Sequence, residues 1–290
     1  MARKRKRLRI IPSHLPLIRD KLAEYHRDAT KEMESRQTQY ERHLTEAWNF
    51  ADHMETAQLW WVDRDMARLA EDTVQAGGFP KPNPPAQSGL IFFDGDVRAT
   101  AFAVTDDATG MKVGEAYVSA LFWQCDANGD IELTAFTDHP AALKECGSAR
   151  YGLPVARLDV RIFNEHIGSF QWFANLLYAV WALSSEPRIC DTKPAAQSVK
   201  YPLPPRFEPE IRKVKMLVLR ENLHRPGESA DGDERVRREY SHRFIVRGFW
   251  RDQAYGPNHS LRRRQWIPPF VKGPADKPLI CKDTVRIWRR

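Results

Sequence analysis

Apolar positions in the first part of the chain recur at the three-and-four spacing of a helix. Leu22, Tyr25, Ala29 and Met33, then Tyr40, Leu44, Ala47, Trp48 and Ala51, predict one or two long helices from Leu17 to about Thr56. Asp28 to Arg42 is almost wholly polar, and opposite-charge pairs such as Glu32–Arg36 support helix there. So long a polar helix predicts an arm that projects from the body or a homodimer formed through it. His26, His43 and His53 lie on it without metal-ligand spacing and are expected at the surface. Leu59-Trp60-Trp61-Val62 with Met66, Leu69, Ala70 and Val74 predicts a short amphipathic helix, capped by Asp63 and ended by Gly77-Gly78, with its tryptophans in the core.

After a proline-rich connector (Phe79 to Gln87) the period changes to that of strands. Gly89–Phe93, Ala99–Val104, Tyr117–Gln124, Ile131–Phe136 and Arg157–Phe163 are expected strands. Turns are expected at Asp94-Gly95-Asp96 and at Asp126-Ala127-Asn128-Gly129-Asp130. Phe170 to Leu183 is apolar nearly all round and predicts a buried helix capped by Ser169. Beyond it come a proline-rich crossing (Pro194 to Pro209), a strand (Lys215 to Arg220), a polar loop (Pro226 to Asp233) and a last strand (Asp283 to Trp288).

The fold class is α+β: an N-terminal helical arm followed by a mostly antiparallel sheet with a packed helix and a C-terminal basic hairpin. Repeated hairpins and proline connectors favour antiparallel pairing over βαβ units. The expected organisation is a basic disordered tail over 1–16, a helical region over 17–78 and an α+β domain over 79–290.

Charge changes this picture. The net +7 is concentrated at the ends: residues 1–10 carry +6, residues 240–290 carry +9, and the 229 residues between them carry −8. Two basic ends on an acidic body imply localised contacts with anions. Arg3, Lys4, Arg5, Lys6 and Arg7 supply most of the first patch.

Residues 240–274 hold seven Lys/Arg against one acid, Asp252, interleaved with seven aromatic rings. Guanidinium groups suit phosphate oxygens and planar rings suit bases, so the mixture suits a nucleic-acid surface. Arg247, Trp250, Arg251, Gln253, Tyr255, Arg262, Arg263, Arg264, Trp266 and Lys272 are the candidate contacts. The expected form is a hairpin of two strands, His242–Arg247 and Arg262–Ile267, around a turn from Asp252 to Ser260. Gly248 marks a bulge or a close approach.

The run His242-x-x-x-Val246-Arg247-Gly248-x-Trp250-Arg251-x-Gln253-x-Tyr255-Gly256-Pro257, followed by Trp266-Ile267-x-Pro269 and Lys272-Gly273, resembles the C-terminal signature of an uncharacterised family of actinobacterial, plasmid and phage proteins. Leu59-Trp60-Trp61-Val62 and Ser88 to Phe93 resemble that family too, so the likeness runs from about residue 55 onward. Phe249 stands where relatives carry His. The resemblance implies a mobile-element setting and brings no settled activity.

Three readings of function are open. A non-catalytic nucleic-acid binder needs only the basic aromatic surface. A metal-independent ribonuclease needs a base, an acid and a cation at the phosphorane, roles open to His242, Tyr255 and Lys272, with His259 a weaker candidate in the turn. A protein-interaction module would set the basic ends against acidic protein. Cys125, Cys146, Cys190 and Cys281 form no CxxC pair, so no structural zinc is expected. The Asp126–Asp130 turn lacks the ligand spacing of a calcium loop, and the Asp63/Asp65 and Asp94/Asp96 pairs are explained by caps and turns, so no other metal is expected. No phosphate loop or other cofactor motif is present, and no cofactor is expected. No apolar run is long enough to span a bilayer and no apolar stretch follows the basic start, so a cytoplasmic protein without a membrane partner is expected.

Overall fold

A computed structural model describes residues 10–35, 41–106, 110–126, 129–137, 168–220, 240–246, 248–274 and 277–280. The chain divides into two units: 1–64, 83–174 and 192–218 form the first, and 65–82, 175–191 and 219–290 form the second. The expected division at residues 16 and 78 runs along the chain, whereas these units interleave.

The first unit begins with two helices, α1 (Leu15–Ser35) and α2 (Glu41–Glu55). They run antiparallel: Arg27 pairs with Asp52 at 3.2 Å and with Glu55, and Trp48 Nε1 donates to Glu34 Oε1 at 2.6 Å. The polar stretch expected to project is thus tied in part by pairing between the two helices. His26 is a correction: it is buried, its ring 4.2 Å from that of Phe50. Helical period alone set its position, and the turn of α1 carrying it faces the core rather than water.

Beside the helices lies a six-stranded sheet in the order β4-β3-β2-β1-β6-β5, which apart from the ends of β5 and β6 belongs to this unit. Its strands are β1 (Gln58–Val62), β2 (Ser88–Asp106), β3 (Gly110–Cys125), β4 (Ile131–Phe136), β5 (Cys190–Pro194) and β6 (Lys215–Leu219). The long strands β2, β3 and β4 pair antiparallel, as expected. The centre differs from expectation, because β1 pairs parallel with both β2 and β6. A parallel pair needs a crossover, which here contains a helix, α3 (Arg64–Ala76). The sheet is therefore mixed and the fold α+β.

Residues 59–62 belong to β1 rather than to a helix. A four-residue apolar run suits a strand buried on both faces as well as a helix start, and periodicity cannot separate the two. The period-two alternation places Leu59, Trp61, Leu90, Phe92, Ala120, Phe122 and Phe136 in one core with Leu15, Ile18, Leu22, Phe50 and Met54 of the two helices. Trp60, Val62, Ile91, Phe93, Leu121 and Trp123, on the opposite face, are buried as well, so both tryptophans of the tandem are core residues.

The expected turn at Asp94–Asp96 is absent as a chain reversal. β2 continues through it with register shifts between Phe92 and Ala99, an irregularity that absorbs the polar residues without ending the strand. After α4 (Gly168–Ser184), the proline-rich crossing runs from the last residue of β5 into the first turn of a short helix, α5 (Glu208–Lys213). α4 matches its predicted span and is buried from Phe173 through Leu183 on most positions. Arg157–Phe163, Pro226–Asp233 and Asp283–Trp288 lie outside the described residues. Among those described, no helix is long and apolar enough to cross a membrane.

The second unit holds α3 from Asp65, α4 from Asn175, and the C-terminal strands described below. Lys81 Nζ lies 5.7 Å from the Tyr178 ring centroid within it.

Candidate functional site

Among the described residues, four strands follow residue 240: β7 (Phe244–Val246), β8 (Phe249–Tyr255), β9 (Leu261–Ile267) and β10 (Phe270–Lys272). β7 pairs antiparallel with β10, and β8 with β9. The expected hairpin joined the first of these segments to the third, so the pairing is a correction. β8 continues through Tyr255, and only Gly256 to Ser260 turn. Asn258 and His259 both adopt left-handed backbone there, with φ of 53° and 54°. Gly248 does mark a close approach, since a Cβ there would lie 2.9 Å from Pro269 Cδ.

The strand containing Phe244 is anchored by Arg243. Its Nη2 donates to Asp65 Oδ2 at 2.9 Å and its Nε to the Lys277 carbonyl oxygen at 2.7 Å. Its backbone N–H donates to Pro278 O, and its carbonyl accepts from Ile280 N–H, both at 2.9 Å. At Gly273, φ is +119° and a Cβ would meet His242 O at 2.5 Å, so only glycine lets β10 turn beside residue 242. Arg243 had no local signal, because its acidic partner is 178 residues away.

Lys272 Nζ sits 5.4 Å from the Tyr240 ring centroid, and the Phe244 ring lies 5.3 Å from Tyr240 and 6.2 Å from His242. Lys272 is thus in the β7–β10 ladder, whereas His242 lies two residues before β7 rather than in a strand, against expectation, and the two meet around the Tyr240–Phe244 ring pair. Tyr255 does not join them: it pairs with Leu261 at the turn end of the β8–β9 ladder. His259 is exposed in the turn.

Register sorts the β8–β9 hairpin into two faces, because directly paired residues of antiparallel strands point the same way. One face carries Phe249, Arg251, Gln253 and Tyr255 with their partners Ile267, Gln265, Arg263 and Leu261. The other carries Trp250, Asp252 and Ala254 with Trp266, Arg264 and Arg262. The Arg262–Arg264 run is therefore not one patch, since its middle residue faces away from its ends. The cation–ring contacts agree: Arg264 lies 5.4 Å from the Trp250 centroid, and Arg263 lies 6.0 Å from that of Tyr255.

The Trp250 face is tied down at one end, where Trp250 Nε1 donates to the Gly78 carbonyl oxygen at 2.8 Å. Trp250 keeps 45% of its surface and Trp266 is half-buried, so neither is a closed core residue. Among the described residues the first face has no such tie, and it exposes Phe249 (49%), Tyr255 (47%) and Leu261 (49%). Arg251, Arg262, Arg263 and Arg264 are all exposed, and none forms an ion pair among the described residues. Arg247 and the tail residues Arg3, Lys4, Arg5, Lys6 and Arg7 lie outside the described residues.

Among the described residues, no group of three or more His, Cys, Asp or Glu could hold a metal ion. Cys125 and Cys190 are buried free thiols, and burial, followed by the charge of Asp126, pushes the Cys125 thiol up, away from the reactive thiolate. The chain matches no protein-family profile, no curated protein and no solved structure.

Proposed function

We propose that the protein binds nucleic acid through the β8–β9 hairpin, with the basic N-terminal tail adding phosphate contacts. One observation carries the proposal: Arg251, Arg262, Arg263 and Arg264 stand exposed on a single hairpin that holds one acid, and none of them is ion-paired among the described residues. Four guanidinium groups left facing water would repel one another, and a polyanion relieves that repulsion. Interleaved aromatic surface gives sugars and bases an apolar contact. A cytoplasmic location, and a role in a mobile element or phage suggested by the C-terminal signature, belong to the same proposal. So does homodimerisation through α1, which light scattering measures directly.

Fluorescence anisotropy with labelled duplex and single-stranded DNA and RNA, across a salt series, tests it. If the four arginines each neutralise one phosphate of a duplex, log K should fall against log salt with a slope of roughly −3 to −4. Reading the same samples for cleavage separates a binder from a nuclease. No binding to any of the four polymers at low salt, with an acidic protein captured instead, would replace the proposal with a protein-interaction role.

A further inference from the structure

We propose that the face of the hairpin bearing Arg251, Gln253, Arg263 and Gln265 enters the major groove of duplex DNA and contacts base edges there. This rests on the nucleic-acid reading above and narrows it to one polymer and one groove.

Charge separates the two faces. Asp252 stands in register with Arg264 on the Trp250 face, so the Arg251 face carries two guanidinium groups and no acid. The Trp250 face is tethered through Gly78 at one end, which leaves the Arg251 face as the untethered one. Residue types on that face also match base edges. Arg251 stands opposite Gln265, and Gln253 opposite Arg263, giving two arginine–glutamine pairs in successive same-face rungs, with the Asp252–Arg264 rung of the other face between them. Arginine pairs bidentately with O6 and N7 of guanine, and glutamine with N6 and N7 of adenine. Gln265 is exposed, whereas Gln253 is half-buried with its amide on the Ala254 carbonyl oxygen at 3.2 Å, so Gln265 is the amide that reaches outward.

Spacing supports a duplex over a single strand. Alternate residues on a strand are about 6.7 Å apart, close to two base-pair steps of about 3.4 Å. A two-stranded ribbon is of a size that the roughly 12 Å major groove of B-DNA admits. A single strand would instead need rings that stack successive bases. Here Phe249 and Tyr255 are six residues apart, about 20 Å along the strand, and Trp250 and Trp266 face the other way. Duplex RNA is disfavoured because its major groove is too deep and narrow for side chains.

The experiment starts from the tightest duplex recovered from a random DNA pool by the full-length wild-type protein. That duplex is resynthesised with 7-deazapurines, which remove the N7 acceptors of the major groove and leave phosphates and minor groove intact. Affinity should fall about tenfold or more, the scale of a single bidentate base contact. The double variant R251A/R263A should abolish the difference between the selected and a scrambled duplex, while R262A/R264A should lower affinity for both alike. Unchanged affinity for the 7-deaza duplex, or tighter binding of a single strand than of any duplex, overturns the groove assignment and leaves the binding function standing. Failure to recover any DNA overturns the groove assignment, and absence of binding to duplex and single-stranded RNA as well overturns the binding function.

Discussion

Arg243 and Trp250 belong to one basic aromatic run in the sequence, yet each is held by a residue far away in the chain. Trp250→Phe keeps a ring and removes the N–H bond to Gly78 O. It should lower stability by about 1 kcal/mol in urea melts, the usual net value of such a bond, and leave nucleic-acid affinity within about twofold. Arg243→Ala removes the bonds to Asp65 and to Lys277 O together. A destabilisation of about 2 kcal/mol is expected, because hydrogen bonds to charged groups count for more and this pair is mostly shielded from water. By contrast Trp61, buried and stacked 6.5 Å from Phe92, should cost roughly 3–5 kcal/mol when replaced by Ala. A Trp61→Ala protein that melted like wild type would show the sheet core to be packed differently from this description.

At the scale of elements, α1 and α5 are joined by ion pairs centred on Glu210, whose carboxylate contacts Lys213 at 2.6 Å and Arg19 at 3.2 Å. The Lys213 hydrogen bond, followed by that of Arg19, holds the Glu210 carboxyl below its ordinary range. A carboxylate depressed in the folded state contributes stability above its unfolded value, and that contribution is lost as pH falls through the lower folded value. Glu210→Gln should therefore lower the melting temperature slightly at neutral pH, by well under the effect of a core substitution, because the partners are partly exposed. The gap between variant and wild type should close below the ordinary glutamate range; a gap that persisted there would point to packing rather than charge. In the C-terminal strands the deciding feature is register, which turns one run of arginines into two faces with different neighbours.

Over the whole molecule, the acidic body limits which surfaces a polyanion can approach, and the two basic ends are where affinity should reside. Deleting residues 2–9 should weaken binding to every nucleic acid and flatten the salt slope by about 0.9 for each duplex phosphate that the tail had neutralised. Sequence preference should be unchanged, because tail cations neutralise phosphates without reading bases. A steeper slope after deletion would place the tail against the protein's own acidic body instead.

Much of this was legible in the sequence because it depends on local pattern. The period-three-and-four runs became α1 and α2, the apolar run after Ser169 became α4, and the turn between Asp126 and Asp130 joined β3 to β4. The concentration of arginine and aromatic residues after Tyr240 was likewise visible without any structure. What local pattern could not settle was pairing. Residues 59–62 have no internal sign of being a central parallel strand, since that follows from β2 and β6 lying on either side. Likewise β8 rather than β7 partners β9, in a setting that includes the close approach at Gly248, the anchor at Arg243 and the bond from Trp250 to Gly78. Composition determined that the end of this chain is basic and aromatic; only the tertiary structure decided which side chains share a face, because register depends on bonds between residues distant in the chain.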